Sequence, residues 1–347
     1  MNDFRTISIE TSPQEFTDVW VKFQATHETS PYYLPTTLEY FRAYSGKRLA
    51  AERSFVVVRG DEPVALAFVP IEEVKGKRSI SIGQYFTLAP LWEPLKNLLG
   101  FVMAEIDRIA TETKAAKAMF RIDLLQHKQY PYNFLLNYDY LNTSLLGYLV
   151  DCGSPSWRRN HERAIRKISS NPDYSVYIMD QTNKDYVVHE HYRQLHHKAA
   201  GKVTRSKESF DLQYRMLEEG NAILVGLKHK DRFIAFTYFM FYKNGAISFS
   251  AADDPEYNEL PLYHIINAEG LKYLQKHGVL EMDMGQPLNI SNQPFNFPDQ
   301  KQKNITLFKT GFEGRFMNEF RAIKYFTKET FLEDQQNFSK RYQEALS

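Results

Sequence analysis

The stretch "ELPLYHIINAEGLKYLQKHGVLEMDMGQP", residues 259–287, decides the fold, because a helix signal in it runs directly into a strand signal that ends in an acid and a glycine. Pro261 suits a first helical position, where its missing N–H costs nothing and its φ is already helical. Leu262, Ile266, Gly270, Tyr273 and Leu274 recur at helical spacing on one face, and Gly270 lets that face approach a sheet closely. Gly278 suits a C-terminal cap. After it, Leu280, Met282 and Met284 alternate with Glu281 and Asp283, the period of a strand, which predicts that Asp283 points away from the apolar side. The start of such a helix leaves N–H groups unpaired and carries partial positive charge. The segment "ADDPEYNELPLYH" therefore ends at a place suited to an anion such as the pyrophosphate of a nucleotide or of coenzyme A.

Outward from this unit the chain reads as two halves with one plan, the second copy about 168 residues after the first by the spacing of its strand and helix signals. In the first half "SFVVVRGDEPVALAFVPIEE" is strand, turn, strand; "SISIGQYFTLAPLW" adds a strand and a loop; a helix follows from about Pro94, and "AMFRIDLL" is a strand. In the second half "NAILVGLKHKDRFIAFTYFMFY" is again strand, turn, strand, followed by "AISFSAA", the opening helix and "VLEMDM". The basic helix "WRRNHERAIRKISS" marks the boundary, giving an N-terminal domain over 1–150 and a C-terminal domain over 151–347 that carries the ligand site. A length of 347 residues also favours two domains.

Composition narrows the function. A net charge of +1 gives no global attraction to DNA or to an acidic surface. Cys152 stands alone, which excludes an intrachain disulfide framework and a four-cysteine metal site. The N-terminus lacks a basic-then-apolar leader, and no apolar run approaches the roughly 20 residues that span a bilayer, so the expectation is a cytoplasmic protein with no membrane span. Neither "GxGxxG", nor "GxxxxGK[ST]", nor "GxSxG" occurs. The histidine-rich "VHEHYRQLHHKAAGK" is not "HExxH", and two turns separate His189 from His196, about 10 Å along the axis. No metal is expected. Cys152 reads as a small buried apolar residue.

The basic "WRRNHERAIRK", the loop, helix and strand ending in "EMDMG", and above all "ITLFKTGFEGRF" at 305–316 together resemble the FemAB-like acyltransferases, over roughly residues 30–330. The resemblance implies a mixed α/β sheet protein of two tandem GNAT-like domains packed together. It also implies that "AISFSAA" is a fourth strand splayed from a fifth, "VLEMDM", with the pantetheine arm of acyl-coenzyme A in the gap. Cofactor-binding residues are then Ser250, Ala251 and Ala252 on the strand, and Leu260, Leu262 and Tyr263 at the helix start. The "QxxGxG" loop usual in GNAT enzymes is absent, and "YNELPLYH" stands in its place. FemAB proteins that build peptidoglycan bridges take their acyl group from aminoacyl-tRNA, so tRNA-dependent transfer to a peptidoglycan precursor is the alternative.

Acyl transfer to an amine needs a proton acceptor, a group that steadies the carbonyl oxygen, and an acid for the leaving group. Asp283, at the carboxyl edge of a strand, can orient or deprotonate an amine, and equally fits a turn-forming aspartate. His264, kept neutral by the helix dipole, suits a base, although a surface helix histidine is the more usual reading of such a position. The resemblance places Lys309 near the reacting groups. Lys198, Lys202 and Arg205, with Arg158 and Arg159, form two local basic clusters that can hold phosphate, which suggests a nucleotide-linked amino sugar as acceptor.

Overall fold

The computed structural model describes residues 3–285 and 292–346. The strand β1 (Phe4–Ser8) leads into helices α1 (Pro13–Thr26) and α2 (Pro35–Ser45). Then β2 (Leu49–Glu52) and β3 (Phe55–Arg59) fold back through β4 (Glu62–Ala67) and β5 (Pro70–Val74). Short strands β6 (Lys77–Ile80), β7 (Thr87–Leu88) and β8 (Leu91–Trp92) precede α3 (Leu98–Thr113), β9 (Ala115–Arg121) and β10 (Leu141–Asn142). The helix expected from Pro94 starts at Leu98, because Asn97 before it adopts a left-handed conformation at φ 64°.

The second half opens with β11 (Leu145–Asp151), α4 (Arg159–Ser169), β12 (Tyr174–Met179), α5 (Tyr186–Ala200) and α6 (Lys207–Glu218). It continues through β13 (Ala222–His229), β14 (Arg232–Tyr242), β15 (Gly245–Asp253), α7 (Leu262–Lys276) and β16 (Glu281–Asp283). The chain ends with α8 (Gln300–Lys309), β17 (Gly314–Glu319), β18 (Arg321–Tyr325) and α9 (Lys328–Glu344).

The second sheet runs β12-β13-β14-β15-β16-β11-β17, and β15 pairs with β16 in parallel only from Gly245↔Glu281 to Ile247↔Asp283. Past Ile247 the strands part: β16 ends at Asp283 while β15 runs on to Asp253. The first half holds β1-β3-β4-β8 and β10-β18-β9-β6-β5-β2. There β6 and β7 both pair in parallel with β9, so β7 fills the place where the second sheet splays.

The helix α7 connects the two splayed strands and packs on the sheet through Ile265, Ile266, Leu271 and Leu274. Gly270 sits where a Cβ would lie 2.6 Å from the Phe239 ring, so the close approach needs glycine. Pro261 is the N-cap rather than the first helical residue, with ψ 55°. Gly278, at φ +76°, turns the chain out of the helix. Met282 and Met284 are buried, but Leu280 is 49% exposed, because it lies in that turn before strand pairing begins.

The halves are joined through buried and hydrogen-bonded contacts. Thr36 on α2 donates to Glu219 at 2.7 Å, and Arg215 on α6 donates to Glu39 at 2.8 Å. One apolar cluster extends from Trp20 and Val56 in the first half to Phe236 and Tyr238 in the second. A division at residue 150 runs through β11, whose partners β16 and β17 belong to the second sheet. The chain also returns: β17 lies in the second sheet and β18 in the first, with Phe320 alone between them. Among the described residues no helix is long and apolar enough to cross a membrane.

Candidate active site

The splay between β15 and β16 opens into a cleft of about 840 Å³. One side is lined by Ser248, Phe249, Ser250 and Ala251 of β15, by Tyr263 and Asn267 of α7, and by Ile305, Phe308 and Lys309 of α8. The first half supplies Tyr32, Phe41 and Arg121, so the cleft lies between the halves. From Phe249 to Asp253 the edge of β15 facing the cleft has no strand beside it among the described residues. At about 3.3 Å per residue this is roughly 16 Å of unpaired backbone.

At the apex Asp283 is buried beside Gly285, whose N–H donates to Oδ1 at 2.9 Å. Gly285 has φ +62°, and a Cβ on it would lie 2.3 Å from the Ser248 carbonyl oxygen. Only glycine fits at the point where the strands separate. Lys309, at the end of α8, donates to the Gly285 carbonyl oxygen. Burial pushes the Asp283 carboxyl up to about 7, with Glu319 and Asp123 adding to the rise, and burial pulls the Lys309 ammonium down to about 8. Burial thus shifts a carboxyl and an amine at the apex toward each other in pKa.

Around this pair stand groups that the sequence reading did not single out. Arg121 ends β9 with its guanidinium carbon 4.2 Å from the centre of the Tyr32 ring and one nitrogen 3.8 Å from Glu319 Oε1. Asp123 is buried, accepts hydrogen bonds from Ser30 Oγ and the Leu125 N–H, and has its carboxyl raised mainly by burial. One signal was available: "FRIDLL" ends a fifth strand with an aspartate just as "LEMDMG" does. Glu319 and Arg321 flank the residue where the chain crosses between sheets, a pairing with no local sequence signature.

The other candidates fall in different places. Of the expected cofactor residues, Ser250, Ala251 and Tyr263 line the cleft, whereas Ala252 and Leu262 are buried in apolar clusters and Leu260 packs against one of these. The Tyr263 hydroxyl donates to Asp253 at 2.7 Å, which commits its proton. His264 does not line the cleft. It packs against His161 and Phe308, and burial lowers it to about 4, so it is neutral but a weak base.

The basic clusters are also placed differently from the expectation. Arg205 is half-buried and donates to Tyr40 at 2.7 Å and Ser250 at 2.9 Å, while Lys198 pairs with Asp254 at 2.7 Å and Glu256 at 3.2 Å. Lys202, Arg158 and Arg159 are exposed and outside the cleft lining. The reason is local: Asp254 is buried and draws Lys198, and the Tyr40–Ser250 gap draws Arg205. Burial pushes the Cys152 thiol up to about 12, which makes it unreactive. Among the described residues no group of three or more His, Cys, Asp or Glu side chains is placed to hold a metal ion.

This geometry has counterparts. Residues 155–295 match the family model described as an acetyltransferase (GNAT) domain, a span that includes Asp283 and stops short of Lys309. Among solved structures the chain is similar to FemX, with 12% identity and a TM-score of 0.59 over 84% of this chain and 92% of that one. It is similar to L-PGS from Bacillus licheniformis, with 13% identity and a TM-score of 0.58 over 88% and 96%. It is also similar to a tandem GNAT protein from the clavulanic acid biosynthesis pathway, with 13% identity and a TM-score of 0.50 over 93% and 98%. No curated protein matches the sequence. The fold is that of the FemAB-like tandem GNAT proteins. The GNAT domain match makes the chain an acyltransferase.

Proposed function

We propose that the protein moves an acyl group from acyl-coenzyme A to an amino group of a small anionic acceptor, for which a nucleotide-linked amino sugar is the case the sequence suggested. The observation that carries this reading is the unpaired edge of β15, which runs from the start of α7 to the Asp283–Lys309 pair. An extended arm bearing amide groups can hydrogen-bond along such an edge as an added strand and present its thioester at the apex. Lys301, exposed on the cleft lining, supplies a cation for the diphosphate end.

In the reaction the acceptor nitrogen attacks the thioester carbonyl carbon. Asp283 accepts the proton lost from the nitrogen, through the oxygen that Gly285 does not hold. The Lys309 ammonium steadies the carbonyl oxygen as it gains charge. The new C–N bond forms, the C–S bond breaks, and the thiolate leaves. With an ordinary thiol value near 8.5, the thiolate is a stronger base than Asp283, so Asp283 returns the proton to it and is restored.

One observation favours a second reading, aminoacyl-tRNA as donor. The first turn of α7 is partly closed by its own backbone, since Leu262 N–H donates to Leu260 O at 2.9 Å and His264 N–H to Pro261 O at 3.2 Å. Asp253, Asp254, Glu256 and Glu259 crowd the preceding loop, which opposes a diphosphate there. Isothermal titration with acetyl-coenzyme A and a longer acyl form separates the two. Binding with a micromolar constant supports the first reading, and absence of heat with every acyl form leaves the second.

A further inference from the structure

Arg121 and Arg321 stand directly opposite each other on the antiparallel strands β9 and β18, so their side chains leave the same face of the sheet. Like charges in such a pair oppose folding unless something else is met there. Arg321 is buried and Arg121 half-buried, and the groups that favour the Arg121 charge are Tyr32, Glu319 and Asp123. Among the described residues Glu319, at 3.8 Å, is the only carboxylate within 4 Å of the Arg121 guanidinium, and it is beyond hydrogen-bond distance. Below Arg121 lies the Tyr32 ring. Arg321 lies 4.0 Å from the centre of the Phe86 ring, and its buried Nε has no hydrogen-bond partner. Arg121 lines the cleft, next to the apex where Asp283 and Lys309 meet.

The charge count points the same way. Three cationic groups, Arg121, Arg321 and Lys309, face three carboxyl groups, Asp123, Asp283 and Glu319. Burial raises the carboxyls of Asp123 and Asp283 toward their neutral forms, and it lowers Lys309 and Arg321 toward theirs. Arg121, which lines the cleft and whose charge its neighbours favour, is then the cation that an anion in the cleft would meet.

We propose that Arg121, backed by Arg321, is an oxyanion receptor that anchors the acceptor through a carboxylate or phosphate lying a few bonds from the amine that is acylated. A guanidinium fork takes either group through two parallel N–H donors. The Tyr32 and Phe41 rings beside it suit the carbon skeleton that joins the anion to the amine. The role given to the amine rests on the acyl-transfer reading, whereas the anion site itself does not.

The test is thermal unfolding in inorganic phosphate, in acetate and in chloride at matched ionic strength, for the wild type, Arg121→Gln, Arg121→Lys and the surface control Lys167→Gln. The expected result is a rise in melting temperature with one of the oxyanions in the wild type and in Lys167→Gln. Its apparent affinity should be about tenfold weaker, or lost, in Arg121→Gln and reduced in Arg121→Lys. A larger response to acetate identifies a carboxylate, and a larger response to phosphate identifies a phosphate. No oxyanion-specific rise in the wild type, or a rise undiminished in Arg121→Gln, overturns the proposal. If Arg121→Gln does not fold, an undiminished rise in Arg121→Lys overturns it equally. Acetyl-coenzyme A titration, run alongside, fails on its own if the donor reading is wrong, and leaves the oxyanion response as it was.

Discussion

Lys309 and Asp283 are tied to the same residue: the lysine donates to the carbonyl oxygen of Gly285, and the N–H of Gly285 donates to the Asp283 carboxyl. The backbone of one glycine thus holds a carboxyl group and an amine at the apex of the cleft. If Asp283 takes the amine proton and Lys309 steadies the oxyanion, both act mainly in the transition state. Asp283→Asn should lower kcat by about 10² to 10⁴, and Lys309→Ala by about 10² to 10³, with folding intact. Steady-state kinetics with thermal melts check this, and kcat within about threefold of wild type in both variants removes both residues from the chemistry.

Gly285→Ala should cost more than a glycine-to-alanine change on a surface. The position combines a φ of +62° with a Cβ that would meet the Ser248 carbonyl oxygen at 2.3 Å. The backbone of β15 must move or the turn after β16 must reshape, and either disturbs both partners of Gly285. The expected outcome is a lower melting temperature together with a fall in kcat. A variant that melts and turns over like wild type would show that the junction is not needed as built.

The parts of this site that were legible in the sequence were those encoded locally. The α7 face from Leu262 to Leu274 shows helical spacing, and Asp283 ends a strand because Met282 and Met284 alternate around it. What was not legible depends on pairing between distant segments. Tyr32 and Arg121 reach the cleft from the first half, and Glu319 and Arg321 flank the one residue over which the chain crosses between sheets. His264 shows the limit of periodicity: its neighbour Tyr263 lines the cleft, yet one step along the helix turns the imidazole against His161. The basic clusters misled because a run of cations does not reveal its partners. Asp254 for Lys198, and Tyr40 and Ser250 for Arg205, lie 45 residues or more away in sequence.

The partners found for the basic cluster separate two residues that looked alike. Arg205→Ala removes a half-buried guanidinium and leaves Tyr40 and Ser250 without it, so stability should fall by about 1.5–3 kcal/mol. Lys202→Ala, on an exposed site, should leave melting and the acceptor KM unchanged within error. Chemical denaturation of both variants decides, and equal stability losses would contradict the assignment.

One donor site per chain is expected. The corresponding gap of the first half is occupied by β7, which pairs with β9 through Thr87↔Phe120 and Leu88↔Arg121. Its loop, "GQYFTLAPLWEP", carries two prolines that cannot donate to a phosphate. Titration with acyl-coenzyme A should give a stoichiometry near one, and two equivalent sites would contradict the difference between the halves.

The pH dependence follows from the same pair. Burial raises Asp283 from an ordinary value near 4 to about 7, so the stability linked to its neutral form is present at low pH and is lost as pH rises through 7. Lys309 is depressed from about 10 to about 8, so its contribution is present at high pH and is lost as pH falls through 8. Both groups are charged together mainly between these values, which is where a carboxylate base and an ammonium cation are needed at once. The profile of kcat/KM should therefore be a narrow bell, rising with an apparent value near 7 and falling near 8. Asp283→Asn should retain a small residual rate without the acidic limb. Its melting temperature should match that of wild type near pH 4, where wild-type Asp283 is neutral too, and exceed it above pH 7, where the wild type carries the buried charge. A kcat/KM profile flat from pH 6 to 9, or an acidic limb that persists in Asp283→Asn, would assign the proton transfer to another group.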